Sequence, residues 1–187
     1  KGFTRFIENK SWQTKYDGDR IVRSNISFVG NRVVHEGSSL FQFNTNEECD
    51  SFVVENNTFE VDSPDLIIGL LQGYKKCRLA NNLIIAKGSS IAKQSAILNF
   101  ACENTTIENN RLVDCGRFSV ALGTKITGEV GVRMTADTFV FRNNYFEYTE
   151  LYTSAVKYQL HLSECDIKNV FFSNAENDVD YAPISID

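Results

Sequence analysis

Proline, histidine, tryptophan and methionine are scarce in this chain. Among 187 residues there are two prolines, Pro64 and Pro183, two histidines, His35 and His161, one Trp and one Met. No apolar run approaches the roughly 18 residues that a bilayer-spanning helix needs. The longest, Leu66-Ile67-Ile68-Gly69-Leu70-Leu71, is strand-sized. A basic excess is also lacking. Nineteen Lys and Arg face 24 Asp and Glu, for a net charge of -5. A nucleic-acid binder would need a basic stripe to neutralise phosphates. The five cysteines (Cys49, Cys77, Cys102, Cys115, Cys165) are an odd number without CxxC spacing, which speaks against a disulfide framework and against a zinc site. Free thiols in the core are the expectation. Gly-x-Ser-x-Gly, a phosphate-binding Gly loop and His-Glu-x-x-His are all missing.

What remains has the composition of one globular domain, 42% hydrophobic and 23% charged, with length enough for a sizeable core. Lys1 stands where an initiating Met would, and no charged-then-apolar leader follows it. A fragment of a longer chain is therefore expected, a single domain over 1–187 with an irregular tail over 173–187.

The informative feature is an internal repeat. Val54-Glu55-Asn56-Asn57-Thr58-Phe59 recurs as Leu79-Ala80-Asn81-Asn82-Leu83-Ile84, Ile107-Glu108-Asn109-Asn110-Arg111-Leu112 and Phe141-Arg142-Asn143-Asn144-Tyr145-Phe146. Degraded copies begin at Ile7, Phe28 and Ile167. Successive first residues are 21, 26, 25, 28, 34 and 26 apart. Apolar residues two apart before the Asn pair, such as Phe52 and Val54 or Phe139 and Phe141, lie on one face of a strand. Asn tolerates the left-handed conformation of a sharp bend and bonds nearby backbone. Stacked at the sheet spacing of roughly 4.8 Å, Asn31, Asn57, Asn82, Asn110 and Asn144 would form a ladder, broken at Val170. Phe28, Val54, Leu79, Ile107, Phe141 and Ile167 would share an interior column.

Each repeat carries a further apolar strand: Phe41 to Phe43, Ile68 to Leu71, Ala96 to Phe100, Phe118 to Leu122 and Ala155 to Tyr158. No segment has a sustained helical period. Repeats of about 25 residues built only of strands exclude leucine-rich horseshoes and propeller blades. The predicted fold is all-β, a right-handed single-stranded parallel β-helix of about six or seven coils. The apolar-x-apolar-x-Asn-Asn-x-apolar phrase, running from about residue 7 to 172, resembles the pectate-lyase-like superfamily, which includes polysaccharide lyases, pectinases and bacteriophage tailspikes.

That register assigns the outward side chains. One row reads Ser27, Val53, Arg78, Thr106, Val140, Asp166, and the next Val29, Glu55, Ala80, Glu108, Arg142, Lys168. Beyond the bend come Arg32, Thr58, Leu83, Arg111, Tyr145, Phe171, then Val34, Glu60, Ile85, Val113, Glu147. Substrates of the enzymes in that superfamily lie across such rows, and two chemistries would use these residues. Glu55 and Glu108, two coils and roughly 9.6 Å apart, have the separation of an inverting glycosidase pair. A lyase needs a base and a cation that neutralises a uronate, a set that Glu108, Arg142 and Arg111 could supply. The catalytic candidates are thus Glu55, Glu108 and Arg142. The candidates for substrate binding are Arg111, Tyr145, Lys168 and Lys125, the last on a glycine-bounded excursion, 123–130, that accounts for the 34-residue spacing. The competing reading is a solvated sheet face with cross-strand ion pairs.

No cofactor or resident metal is expected. Asp17-Gly18-Asp19 is a calcium candidate short of the six or more oxygens that the ion needs. His35 falls in an inward slot as a core residue. The outward apolar residues Leu83, Tyr145, Phe171, Val34, Ile85 and Val113 call for a cover. Trimeric tailspikes bury such faces, and unpaired thiols suit a protein assembled in a reducing cytoplasm. The resemblance then implies a polysaccharide-recognising or depolymerising tailspike-like module, a homotrimer on the virion surface or otherwise extracellular, acting on a bacterial or plant polysaccharide. The alternatives are a secreted polysaccharide lyase and a non-catalytic structural or adhesin segment.

Overall fold

The chain is an all-strand solenoid, seen in a computed structural model that describes residues 5–10, 25–35, 39–44, 49–61, 66–72, 74–86, 96–97, 100–114, 118–120, 136–147, 158–162, 167–173 and 182–186. Among these residues there is no helix. Every pair of described strands is parallel, with partners far apart in sequence, so the chain winds rather than folding back on itself. Connections of this kind between parallel strands are right-handed as a rule. The predicted parallel β-helix with its Asn ladder is the observed fold.

The first face has six strands: β2 (Asn25–Val29), β5 (Cys49–Glu55), β8 (Tyr74–Ala80), β12 (Asn104–Glu108), β15 (Ala136–Arg142) and β18 (Ile167–Ser173), stacked in that order. The second has five: β3 (Arg32–His35), β6 (Thr58–Val61), β9 (Leu83–Ala86), β13 (Arg111–Val113) and β16 (Tyr145–Glu147). The third face is split into two stacks. One holds β1 (Arg5–Lys10), β4 (Ser39–Asn44), β7 (Leu66–Gln72) and β11 (Phe100–Ala101). The other holds β10 (Ala96–Ile97), β14 (Phe118–Val120), β17 (Tyr158–Leu162) and β19 (Ala182–Ile186). In the fourth coil, Phe100–Ala101 pairs with the coil before it and Ala96–Ile97 with the coil after it.

Only two residues separate the first face from the second, and the two do different jobs. The first of each pair takes the left-handed conformation: Asn56, Asn81, Asn109 and Asn143 have φ between 53° and 58°, and Gly30 has 72°. That conformation costs most residues a Cβ clash and is the one that Asn and Gly accept. The second Asn points inward. Asn57, Asn82, Asn110 and Asn144 are buried, and each side chain serves the coil before it. The Asn110 Oδ1 accepts from the backbone N of Asn82 at 3.0 Å and from its Nδ2 at 2.9 Å. The Asn110 Nδ2 donates in turn to Leu79 O at 3.0 Å and to Asn144 Oδ1 at 2.9 Å. The same pattern links Asn31 to Asn57 and Asn57 to Asn82. An amide suits this position because one group supplies both acceptor and donors.

Inside the ladder, side chains stack like with like. Phe28, Val54, Leu79, Ile107 and Phe141 are register partners, as the period-two pattern requires. The column does not continue to Ile167. The partner of Phe141 is Phe172, whereas Ile167 pairs with Ala136 and Val170 with Phe139. Two causes combine. The phrase at 167–172 has Val170 in place of the ladder Asn, so β18 runs straight through it, and the Phe172 ring stacks on Phe141 at 5.5 Å between centroids, 5° from parallel. Lys168 is displaced with it, because the partner of Arg142 is Ser173. Phe171 moves to the first face as the partner of Val140 and leaves the row of Tyr145. The faint copy at Ile7 fails for the same reason: Lys10 stands in the ladder position, and β1 passes without a bend to pair with β4 on the third face.

On the third face, Phe41 to Phe43, Ile68 to Leu71, Ala96, Ile97, Phe100 and Phe118 to Val120 lie in strands as expected, and of Ala155 to Tyr158 only Tyr158 falls among the described residues, in the strand Tyr158–Leu162. Ala182–Ile186, inside the span expected to be irregular, forms a strand paired with β17. His35 is buried in an inward slot beside Val61, as the pattern places it.

Candidate functional site

The outward row of the first face is Val29, Glu55, Ala80, Glu108 and Arg142, as the register requires. Ala80 lies between the two glutamates and is completely covered. Its methyl group leaves a gap that the side chain of Arg78, two residues earlier on the same face, fills. The Arg78 Nε donates to Glu55 Oε1, and its Nη1 lies 2.5 Å from Glu108 Oε1. On the far side the Arg142 Nε donates to Glu108 Oε2 at 2.6 Å. Glu55, Arg78, Glu108 and Arg142 thus form one chain of alternating charge across four coils.

Glu108 is the centre of this chain. Its side chain is only 4% exposed, while those of Arg78 and Arg142 are 41% and 53% exposed. Burial works against its charge, but the hydrogen bond from Arg142 and the charge of Arg78 outweigh that and hold its carboxyl below the ordinary 4.5. A group whose folded value is lowered adds stability that is present in full above its unfolded value and disappears as pH falls through the folded one. Glu108→Gln should therefore cost about 1 to 2 kcal/mol near neutrality, discounted for the half-exposed guanidiniums. Urea melts of parent and variant should keep that gap down to about pH 5 and converge below about pH 4.5. A gap that is unchanged at pH 3 would refute the charge chain.

Across the bend the second face repeats a diagonal pairing. The Arg32 Nη2 lies 2.7 Å from Glu60 Oε1, and the Arg111 Nη2 lies 2.5 Å from Glu147 Oε2. Tyr145 is the register partner of Arg111 and is half-buried, as are Leu83, Ile85 and Val113. Those four need no further cover, whereas Val34 and Phe171 are 64% and 59% exposed. Lys168 is on the edge strand and donates to Asp137 Oδ1 at 2.9 Å. It does not join the charge row.

Of the residues nominated from sequence, Glu55, Glu108 and Arg142 come together on one row, and Arg111 and Tyr145 are neighbours on the next face. Lys125, the 123–130 excursion and Asp17-Gly18-Asp19 lie outside the described residues. Arg78 was named in an outward row but not as a site residue. The signal for it was the small Ala80 two positions later, between glutamates one coil away on either side. Asp137 has no comparable mark in the sequence. Among the described residues no cluster of three or more His, Cys, Asp or Glu is placed to hold a metal ion. No protein family, curated protein or solved structure that was compared with the chain matches it.

Proposed function

We propose that the chain is a polysaccharide-recognising β-helix module of the tailspike kind, one that holds a glycan on its outward rows rather than cutting it. The observation that carries this reading is Arg78 between Glu55 and Glu108. An inverting glycosidase keeps its two carboxyl groups apart to leave room for a water, and one of them must carry a proton. Here a guanidinium fills the gap, and two cations keep Glu108 ionised. For a lyase, a base engaged by two cations is likewise a poor proton acceptor. What the row does offer is half-exposed guanidinium groups held rigid by buried or part-buried carboxylates on a sheet, with Tyr145 beside Arg111, and these suit the binding of sugar hydroxyls.

The tailspike setting accords with two further observations. Val34 and Phe171 leave apolar surface open near the two ends of the described stack, as subunit contacts would. Cys77 and Cys102 are buried free thiols, which suits assembly in a reducing cytoplasm. A homotrimer on a virion surface follows from that setting.

A panel of neutral and acidic bacterial and plant polysaccharides tests the proposal. The chain should be retarded by at least one glycan in affinity electrophoresis, with no new reducing ends and no absorbance of unsaturated uronate after prolonged incubation. New reducing ends would restore the hydrolase, and the uronate absorbance the lyase. Retention by no glycan at all would leave a structural segment.

A further inference from the structure

The ridge between the two faces has a feature that the ladder does not explain. Asn56, Asn81, Asn109 and Asn143 are all exposed, one per coil, on backbone held in nearly the same conformation, with φ of 58°, 56°, 55° and 53°. Their backbone N–H groups are used: each donates to the carbonyl of the coil that follows, at 2.9 to 3.1 Å. Among the described residues, none hydrogen bonds to their side-chain amides. The contrast with the second Asn of each pair, buried and bonded on both edges, is complete. The result is a straight row of solvent-facing amides about 4.8 Å apart, the spacing of a parallel sheet.

Among the described residues, the charges that flank this row are paired. On one flank, Glu55, Arg78, Glu108 and Arg142 neutralise one another. On the other, Arg32 is paired with Glu60 and Arg111 with Glu147. A polyanion gains its affinity from uncompensated cations, whose attraction salt then weakens. A carboxamide offers two donors and an acceptor without charge, the complement of a sugar hydroxyl.

We infer that the ridge Asn56–Asn81–Asn109–Asn143 is a binding track for a neutral, hydroxyl-rich polysaccharide chain lying along the solenoid axis, with about one sugar unit to each coil. The inference rests on the chain being a glycan binder and adds to it the substrate class and the residues in contact.

Gly30 makes a clean test available. It occupies the same bend one coil earlier, at φ 72°, and a Cβ there would meet nothing within 4 Å. Glycine is therefore compatible with the bend, and Asn at Gly30 would lengthen the row. The parent, the double variant Asn81→Gly/Asn109→Gly and Gly30→Asn are compared on dextran, galactan and xylan, and on polygalacturonate and alginate, at low and high salt, with thermal melts of each protein. The parent should bind a neutral glycan with an affinity that salt does not change. The double variant should lose about tenfold or more, from two neutral hydrogen bonds, while melting within a few degrees of the parent. Gly30→Asn should bind a few-fold more tightly. Salt-sensitive binding to the acidic glycans alone, or equal binding by parent and double variant, overturns the track and leaves glycan recognition standing. No binding by the parent to any of the five removes both.

Discussion

Replacing Asn110 by Ala should destabilise the protein by about 3 to 5 kcal/mol. The figure follows from the groups that lose their partners. The Asn82 backbone N and Nδ2 both donate to Asn110 Oδ1, and Leu79 O accepts from Asn110 Nδ2. All of these sit where water does not reach, since Asn82, Asn110 and Leu79 are each no more than 2% exposed. A buried donor or acceptor left without a partner costs about 1 to 3 kcal/mol, and the alanine methyl replaces none of them. The cost should fall toward the end of the stack. Asn31→Ala leaves a half-buried site beside Val29, itself about half exposed, and about 1 kcal/mol is expected there. Thr106→Ala, on the outward face, should stay within about 0.5 kcal/mol. Chemical denaturation of the three variants measures the gradient. Equal losses at Asn31 and Asn110 would mean that the amides are not acting as a shared ladder.

Phe141→Ala should cost about as much, by a different route. Phe141 is completely buried, and its ring stacks against Phe139 at 6.5 Å, Phe146 at 6.5 Å and Phe172 at 5.5 Å. It is the ring that the other three share. Truncation removes the transfer energy of a buried aromatic and leaves a cavity among rigid neighbours, about 3 to 5 kcal/mol in all. Phe171→Ala, one residue from Phe172 but mostly exposed, should change stability by less than about 0.5 kcal/mol. Under the alternative register, with Ile167 beneath Phe141, Phe172→Ala would cost little. In the observed stack it should cost about 2 kcal/mol or more, because its ring lies flat on Phe141.

The legible part of the fold was the part carried by paired Asn. Where the pair is Asn-Asn or Gly-Asn, one residue fixes the bend and the next fixes the stacking distance, so five interior and five outward positions follow from counting by two. Where the ladder Asn is lost, as at Lys10 and Val170, the phrase no longer stops the strand. That is why the copies at Ile7 and Ile167 misplace their neighbours, and why Phe172, not the expected Ile167, continues the interior column. The strand at Ala182–Ile186 carries no repeat phrase, so its pairing with β17 has only tertiary origins.

The site was legible in its composition and hidden in its connections. Glu55, Glu108 and Arg142 follow from the register alone. That Arg78 would lean over Ala80 and tie both glutamates together depends on side-chain length and on a vacancy one coil wide, which a row of letters does not display. The two roles within Asn-Asn were similarly merged in sequence. Buried ladder and exposed ridge separate only when the left-handed φ of the first Asn turns its side chain outward.

The most direct test of the whole account is a crystal structure of this chain. It should show Phe28, Val54, Leu79, Ile107, Phe141 and Phe172 in one interior column, with the amides of Asn57, Asn82, Asn110 and Asn144 bonded in line beside it. Antiparallel pairing between any of these strands, or Ile167 seated beneath Phe141, would contradict it.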